Sequence, residues 1–207
     1  LTVGADGGSH QQIEDIAIMR VIPNMRVLVP ADSTTVSKLT WIIAQQYGPF
    51  YMRMARSKTP IIHNDSQEFQ IGKGIVLRDG SDCTIAACGI TVKMALDAAN
   101  ILQQDGISCR VIDCFSIKPI DRDLLEKSAR ETGSIVTCEE HNIIGGFGSA
   151  VSEVVSESYP VPIRRIGVQD KFGESARDNE IPQLLEKHGL TSINIAKAVK
   201  EVRSKKT

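Results

Sequence analysis

Residues 4 to 10 read GADGGSH, which sets a carboxylate, Asp6, and an imidazole, His10, four positions apart among three glycines. A carboxylate fixes a hydroxyl or orients an imidazole, and an imidazole takes up and gives back protons near neutral pH. Glycine lets ligand or backbone approach closely, at an entropic cost that a plain linker has no reason to bear. The spacing therefore predicts a turn that something must approach. With a helix expected from about Gln11 or Gln12, the free N–H groups and the helix dipole there would favour an anionic ligand. The other reading is local: Asp6 caps the turn and His10 caps the helix. From the residues alone both stand.

The elements that must hold this turn follow a repeating order. Apolar runs of strand length alternate with helix-period segments, which predicts an α/β fold of two consecutive units with mostly parallel sheets. Ligands in such sheets lie at the carboxyl ends of the strands, where glycine-rich turns occur. In the first unit QQIEDIAIMRVI reads as a helix, MRVLVP as a buried strand, and ADSTTVSKLTWIIAQQYG as a helix that Asp32 or Ser33 opens and Gly48 stops. PFYMRM is a second strand, and its alternation sets Arg53 outward between Met52 and Met54. Residues 57 to 73 are polar and proline-containing, the natural linker. The boundary is placed there, with one domain over 1–70 and another over 71–207. In the second domain GIVLRDG, DCTIAACG, CRVIDCFS, SIVTCEE and IRRIGV read as strands. Helices are expected from Thr91 to Asp105, after KPID and after GGFG, with a closing pair at the end.

Composition excludes several classes. The 207 residues carry a formal net charge of -1 with 42% hydrophobic residues, so nothing marks nucleic acid as a partner. No apolar run reaches the length of a membrane span and no leader pattern opens the chain, which points to a cytoplasmic protein. The opening LTVG reads as the tail of a strand, as though the front of its domain preceded it. Five cysteines, with no C-x-x-C spacing, lie mostly in strand-like runs and read as buried reduced thiols. GGFGSAV has Val151 where a dinucleotide fingerprint needs a small residue, so it reads as a tight turn into a helix. Glu139, Glu140 and His141 are consecutive on a strand end, where side chains point to opposite faces and cannot converge on a metal.

VGADGGSHQQIED followed by RVIPNMRVLVPAD resembles the pyrimidine-binding domain of the thiamine-diphosphate transketolase family. IGKGIVLRDG, VIDCFSIKPID, EEHNIIGGFGSAVSEV, IGVQDKFGESA and LLEKHGLTSINI resemble that family's C-terminal domain. The resemblance covers essentially the whole chain and matches the C-terminal part of a transketolase, as in an enzyme split into two polypeptides. It implies two-carbon ketol transfer between sugar phosphates. Asp6 and His10 would bind the hydroxylated, reacting end of the substrate, His10 also acting in catalysis. Arg56 would grip the phosphate, for which a guanidinium offers a rigid fork of donors. Asp6 and His10 at one end and Arg56 at the other would make a clamp that measures sugar length.

The resemblance also implies what this stretch of sequence lacks. Thiamine diphosphate and its Mg2+ or Ca2+ would be held by residues upstream of Leu1 and by a separate diphosphate domain, with no metal ligand here. Glu14, one helical turn past His10, reads as a surface contact and no substitute for the family's activating glutamate. The expected partners are sugar phosphates and an N-terminal transketolase portion or subunit, in a homodimer or heterotetramer, and the chain alone would be inactive. 1-Deoxy-D-xylulose-5-phosphate synthase shares the GADG form and the IGKGIV strand. Ser57 after the arginine and DKFGESA favour transketolase. A 2-oxo-acid dehydrogenase β subunit fits these motifs poorly, and a non-catalytic interaction subunit with a vestigial cleft is a further alternative.

Overall fold

The computed structural model describes residues 1–206. Where the local signals are strongest, the elements form as the sequence predicts. Asp32 Oδ1 accepts the Thr35 N–H at 2.8 Å and opens helix α2 (Ser33–Ala44), a cap of the kind worth about 1 kcal/mol. Ahead of it lie α1 (Asp15–Val21) and strand β1 (Arg26–Leu28), and β2 (Phe50–Met52) follows. The second half runs β3 (Ile75–Arg78), β4 (Cys83–Ala87), α3 (Thr91–Gln104), β5 (Cys109–Asp113), β6 (Ser116–Lys118), α4 (Arg122–Thr132) and β7 (Ile135–Asn142). It continues with α5 (Phe147–Ser158), β8 (Ile163–Val168), α6 (Ile181–Lys187) and α7 (Ser192–Arg203).

Two sheets result. The larger has the order β3-β5-β4-β7-β8, with β5, β4, β7 and β8 parallel and β3 antiparallel at one edge. Helices α3 and α7 pack together on one face, with Val92, Leu102, Ile195 and Val199 in that core. Helices α4 and α5 share a second core with Ile16 and Val27 of the first half, so the two halves are joined by apolar packing. The smaller sheet has the order β2-β1-β6. Its parallel pair comes from the first half and its antiparallel third strand from the second. All five cysteines are buried and free.

Three expectations need correction. CRVIDCFS is not one strand: it breaks at Cys114 and Phe115, and its two ends enter different sheets. LTVG forms no strand: Thr2 and Val3 lie in a turn that leads into two successive 3-10 turns, Gly4–Asp6 and Gly8–His10. The first helix begins at Asp15 rather than at Gln11 or Gln12. Gln11 is extended, and its amide side chain donates to the carbonyls of Leu1 and Glu174, which holds residues 11 to 14 out of helical register. The segment read as a linker has no regular element from Lys58 to Lys73 but is anchored. Asp32 Oδ2 accepts the N–H groups of Ile62 and His63, and the buried His63 ring bonds Asp113 at 2.8 Å.

Candidate functional site

A cleft of about 330 Å³ opens beside the carboxyl end of β2, between the residue 1–12 segment and the Arg53–Arg56 run. Its floor is an ion-pair network. Arg53 donates to Asp15 Oδ2 at 3.0 Å, to Glu140 Oε2 at 3.2 Å and to the Gln12 carbonyl at 3.0 Å. The Arg53 side chain is 14% exposed, and its two carboxylate partners are buried at 4% and 3%. Burial works against these charges, yet Arg53 holds the Glu140 carboxyl below its usual range, and the two carboxylates keep Arg53 charged. Tyr51 donates its O–H to Asp15 at 2.6 Å, and burial together with that carboxylate pushes the phenol above its ordinary value. Arg53 is therefore not outward-facing. Helix α1 and strand β7 cover the face that strand alternation assigned to solvent.

Of the three residues singled out in the sequence, His10 and Arg56 line this cleft, and Asp6 lies at its edge, paired with Arg56. Arg56 Nη1 pairs with the Asp6 carboxylate and also donates to the Val3 carbonyl at 3.0 Å. The hydrogen bond from Arg56 holds the Asp6 carboxyl below the ordinary carboxylate range. His10 is exposed and lines the cleft, with Nδ1 3.1 Å from the Asp6 carbonyl oxygen. In the tautomer whose Nδ1 carries the hydrogen, Nδ1 donates to that carbonyl, and Nε2 of the neutral ring has a free lone pair. The separated clamp is not what the structure shows: Asp6 and Arg56 touch each other instead of marking two ends. Glu14 is exposed and accepts the Ile13 N–H at 3.1 Å.

The glycine-rich stretch has a close neighbour, and it is protein. Residues 173–178, between β8 and α6, lie against it, and Ser175 and Asp178 accept the N–H groups of Gly8 and Ala5. Those two donors are thus already bonded rather than free for an anion. No sequence signal marked this contact, since its partners are more than 160 positions apart.

Glu139, Glu140 and His141 have three separate jobs. Glu140 belongs to the cleft floor. Glu139 points the other way and accepts the N–H groups of Phe147 at 2.6 Å and Gly148 at 2.8 Å, closing the amino end of α5. His141 Nδ1 donates to its neighbour's carbonyl, Asn142 O, at 2.6 Å, and Nε2 accepts the Ala17 N–H at 3.3 Å. Burial, against those two amides, pushes the Glu139 carboxyl from its ordinary 4.5 up to about 7. A folded value above the unfolded one means that the stability this group contributes is full below 4.5 and is lost as pH rises through 7. Wild type should accordingly lose about 3 kcal/mol relative to Glu139→Gln between pH 4.5 and 8. Urea unfolding of both proteins across that range measures it, and a pH-independent difference would show the carboxylate ionised throughout.

Chemically, the mouth offers a guanidinium, a carboxylate and an imidazole, a donor set suited to hydroxyls and phosphate. It is not suited to the cation of a bound diphosphate, because the carboxylates at the floor, Asp15 and Glu140, are both engaged by Arg53. Among the described residues no group of His, Cys, Asp or Glu is arranged to hold a metal ion.

Two family models match the chain. Residues 1–61 match the family model for the transketolase pyrimidine binding domain, and residues 72–195 match that for the transketolase C-terminal domain. A transketolase C-terminal section of Methanocaldococcus jannaschii is 45% identical over 208 residues, covering 99% of this chain and 64% of the relative. The 1-deoxy-D-xylulose-5-phosphate synthase of Heliobacterium modesticaldum is 37% identical over 203 residues, covering 97% of this chain and 31% of the relative. Among solved structures, a split gene transketolase in an inactive β4 tetramer superposes with a TM-score of 0.89 at 47% identity, covering 97% of this chain and 64% of that one.

Proposed function

The chain belongs to the transketolase family, and on that premise we propose that it forms the substrate-binding wall of an enzyme that moves a two-carbon ketol unit from a ketose phosphate to an aldose phosphate. Residues 1–70 are read as the end of the pyrimidine-binding domain and 71–207 as the C-terminal domain. The activity needs an N-terminal transketolase portion or subunit, in a cytoplasmic homodimer or heterotetramer. Support for a divided enzyme comes from the relatives themselves: identity is 45% to a transketolase C-terminal section and 47% to a split gene transketolase, against 37% to the synthase. The observation that carries the reading is that His10 and Arg56 line one cleft and Asp6 pairs with Arg56 at its edge.

Thiamine diphosphate, held with Mg2+ or Ca2+ mainly outside this chain, would supply the nucleophilic carbon and the electron sink. The chain's own residues bind and orient. A substrate phosphate competes with Asp6 for Arg56, and the exchange opens their ion pair. Asp6, so released, accepts a sugar hydroxyl. His10 presents Nε2 to a hydroxyl near the reacting carbonyl, where it takes and returns a proton. Holding the phosphate and the sugar hydroxyls in one geometry removes much of the entropic barrier to reaction.

The test is steady-state kinetics on this chain reconstituted with its N-terminal partner. Arg56→Ala should raise KM for phosphorylated ketoses about 10- to 100-fold, the range expected for a lost charge-assisted contact, and leave unphosphorylated ones nearly unchanged. An equal loss on both would remove Arg56 from the phosphate site.

A further inference from the structure

The contact between residues 173–178 and the glycine-rich stretch is built from both sides. Asp178 Oδ1 accepts the Ala5 N–H at 3.2 Å, Ser175 Oγ accepts the Gly8 N–H at 3.3 Å, and the Glu174 carbonyl accepts from the Gln11 side chain at 2.7 Å. Gly4 and Gly7 adopt φ of +70° and +79°, and a Cβ there would stand 1.9 Å from Asp178 Oδ1 and 2.6 Å from Ser175 Oγ. The positive φ favours glycine at both positions, and a Cβ at either would push Asp178 or Ser175 out of these hydrogen bonds. The approaching segment is in turn pinned from below, where Lys187 of α6 bonds the Glu174 carboxylate at 2.5 Å. Leu1 and Ile13 on one side and Ala176 and Ile181 on the other share an apolar cluster that flanks the contact, but Ala5, Asp6, Glu174, Ser175 and Asp178 at its centre are exposed and polar. Such a segment opens at low cost unless its hydrogen bonds hold it. Between the two attachment points sits Asp6, and His10 follows within one turn, its ring tied to the Asp6 carbonyl.

We propose that Ser175 and Asp178 are positioning residues: the second half of the chain uses them to fix the wall that presents Asp6 and His10 to substrate. The proposal rests on the reading of these two residues given above, and it gives the C-terminal domain a direct part in the reaction. A wall free to shift by about 1 Å would forfeit alignment more than affinity, so the larger effect falls on turnover. Asp178 also lies close enough to Arg56 for its charge to add to that of Asp6 there.

Two measurements test this. In the isolated chain, Asp178→Ala and Ser175→Ala should speed amide hydrogen exchange at Ala5, Gly7, Gly8 and His10 by at least about fivefold, leaving β4 amides as in wild type. Asp178→Asn, which keeps an acceptor for Ala5, should not. In the reconstituted enzyme, Asp178→Ala should lower kcat about tenfold with KM within about twofold, and Asp178→Asn should restore kcat. Unchanged exchange in the alanine variants overturns the proposal, as does unchanged kcat in an active enzyme or failure of asparagine to rescue. If exchange responds as stated but wild type transfers no ketol unit, the proposed function fails, and the attachment of the wall by Ser175 and Asp178 stands.

Discussion

In the reconstituted enzyme, His10→Ala should lower turnover by about 10²-fold or more and shift the melting temperature by no more than about 3 °C. The asymmetry follows from where the ring sits. It is exposed, and its hydrogen bonds, to the Asp6 carbonyl and the Ser9 hydroxyl, are both 3.1 Å and local. Deleting it opens no cavity and strands no buried group, the two mechanisms behind large losses of stability. What is lost is Nε2, the nitrogen left as an acceptor once Nδ1 donates to Asp6. Proton transfer by a positioned imidazole contributes about 10²- to 10⁴-fold to rate. Asp6→Asn should cost less than Asp6→Ala, since an amide still bonds a hydroxyl although it cannot pair with Arg56. A melting curve and steady-state kinetics on each variant decide the matter. If His10→Ala melts the protein by many degrees while the folded fraction turns over normally, His10 is a structural cap and not part of the site.

How much of this was legible in advance depends on whether the deciding contact was local. The α/β order, the Asp32 cap and the tight turn before α5 all rest on interactions within a few residues, and the sequence displays them. The triad at the cleft mouth could be nominated by family resemblance. Its closure could not, because the Asp6 and Arg56 charges meet across 50 positions. The same holds for the break in CRVIDCFS: nothing in those eight residues shows that Ser116 onward will pair with β1. GADGGSH states the limit most clearly. Its glycines announced that something would come close, and the chain itself, 165 or more positions later, supplied it in Ser175 and Asp178. Arg53 was misassigned for a related reason. Alternation along β2 distinguishes two faces but cannot say which one another part of the chain will cover.

Arg53 is also where the largest loss of stability is expected. Arg53→Ala should destabilise the chain by about 3–5 kcal/mol, because it leaves Asp15 and Glu140 buried with an uncompensated charge at the cleft floor. The gain from the intact network is smaller than that loss, since burial already costs all three groups part of their hydration. The variant should also acquire a characteristic pH dependence. Without the guanidinium, the Glu140 carboxyl loses the largest of the influences that lower it against burial, so its folded pKa rises above the wild-type value. A raised folded pKa gives stability at low pH that disappears as pH rises through it, so the deficit of Arg53→Ala should be smaller at pH 5 than at pH 8. Urea unfolding of wild type and variant at the two pH values measures this directly. A deficit below about 1 kcal/mol, the worth of an exposed pair, and equal at both pH values would mean that water reaches the floor and that Arg53 holds nothing there. The larger, pH-dependent deficit would place the buried charge network beneath Gln12, whose carbonyl Arg53 also binds. The backbone that carries His10 into the cleft would then be anchored by the same guanidinium that neutralises the two halves' carboxylates.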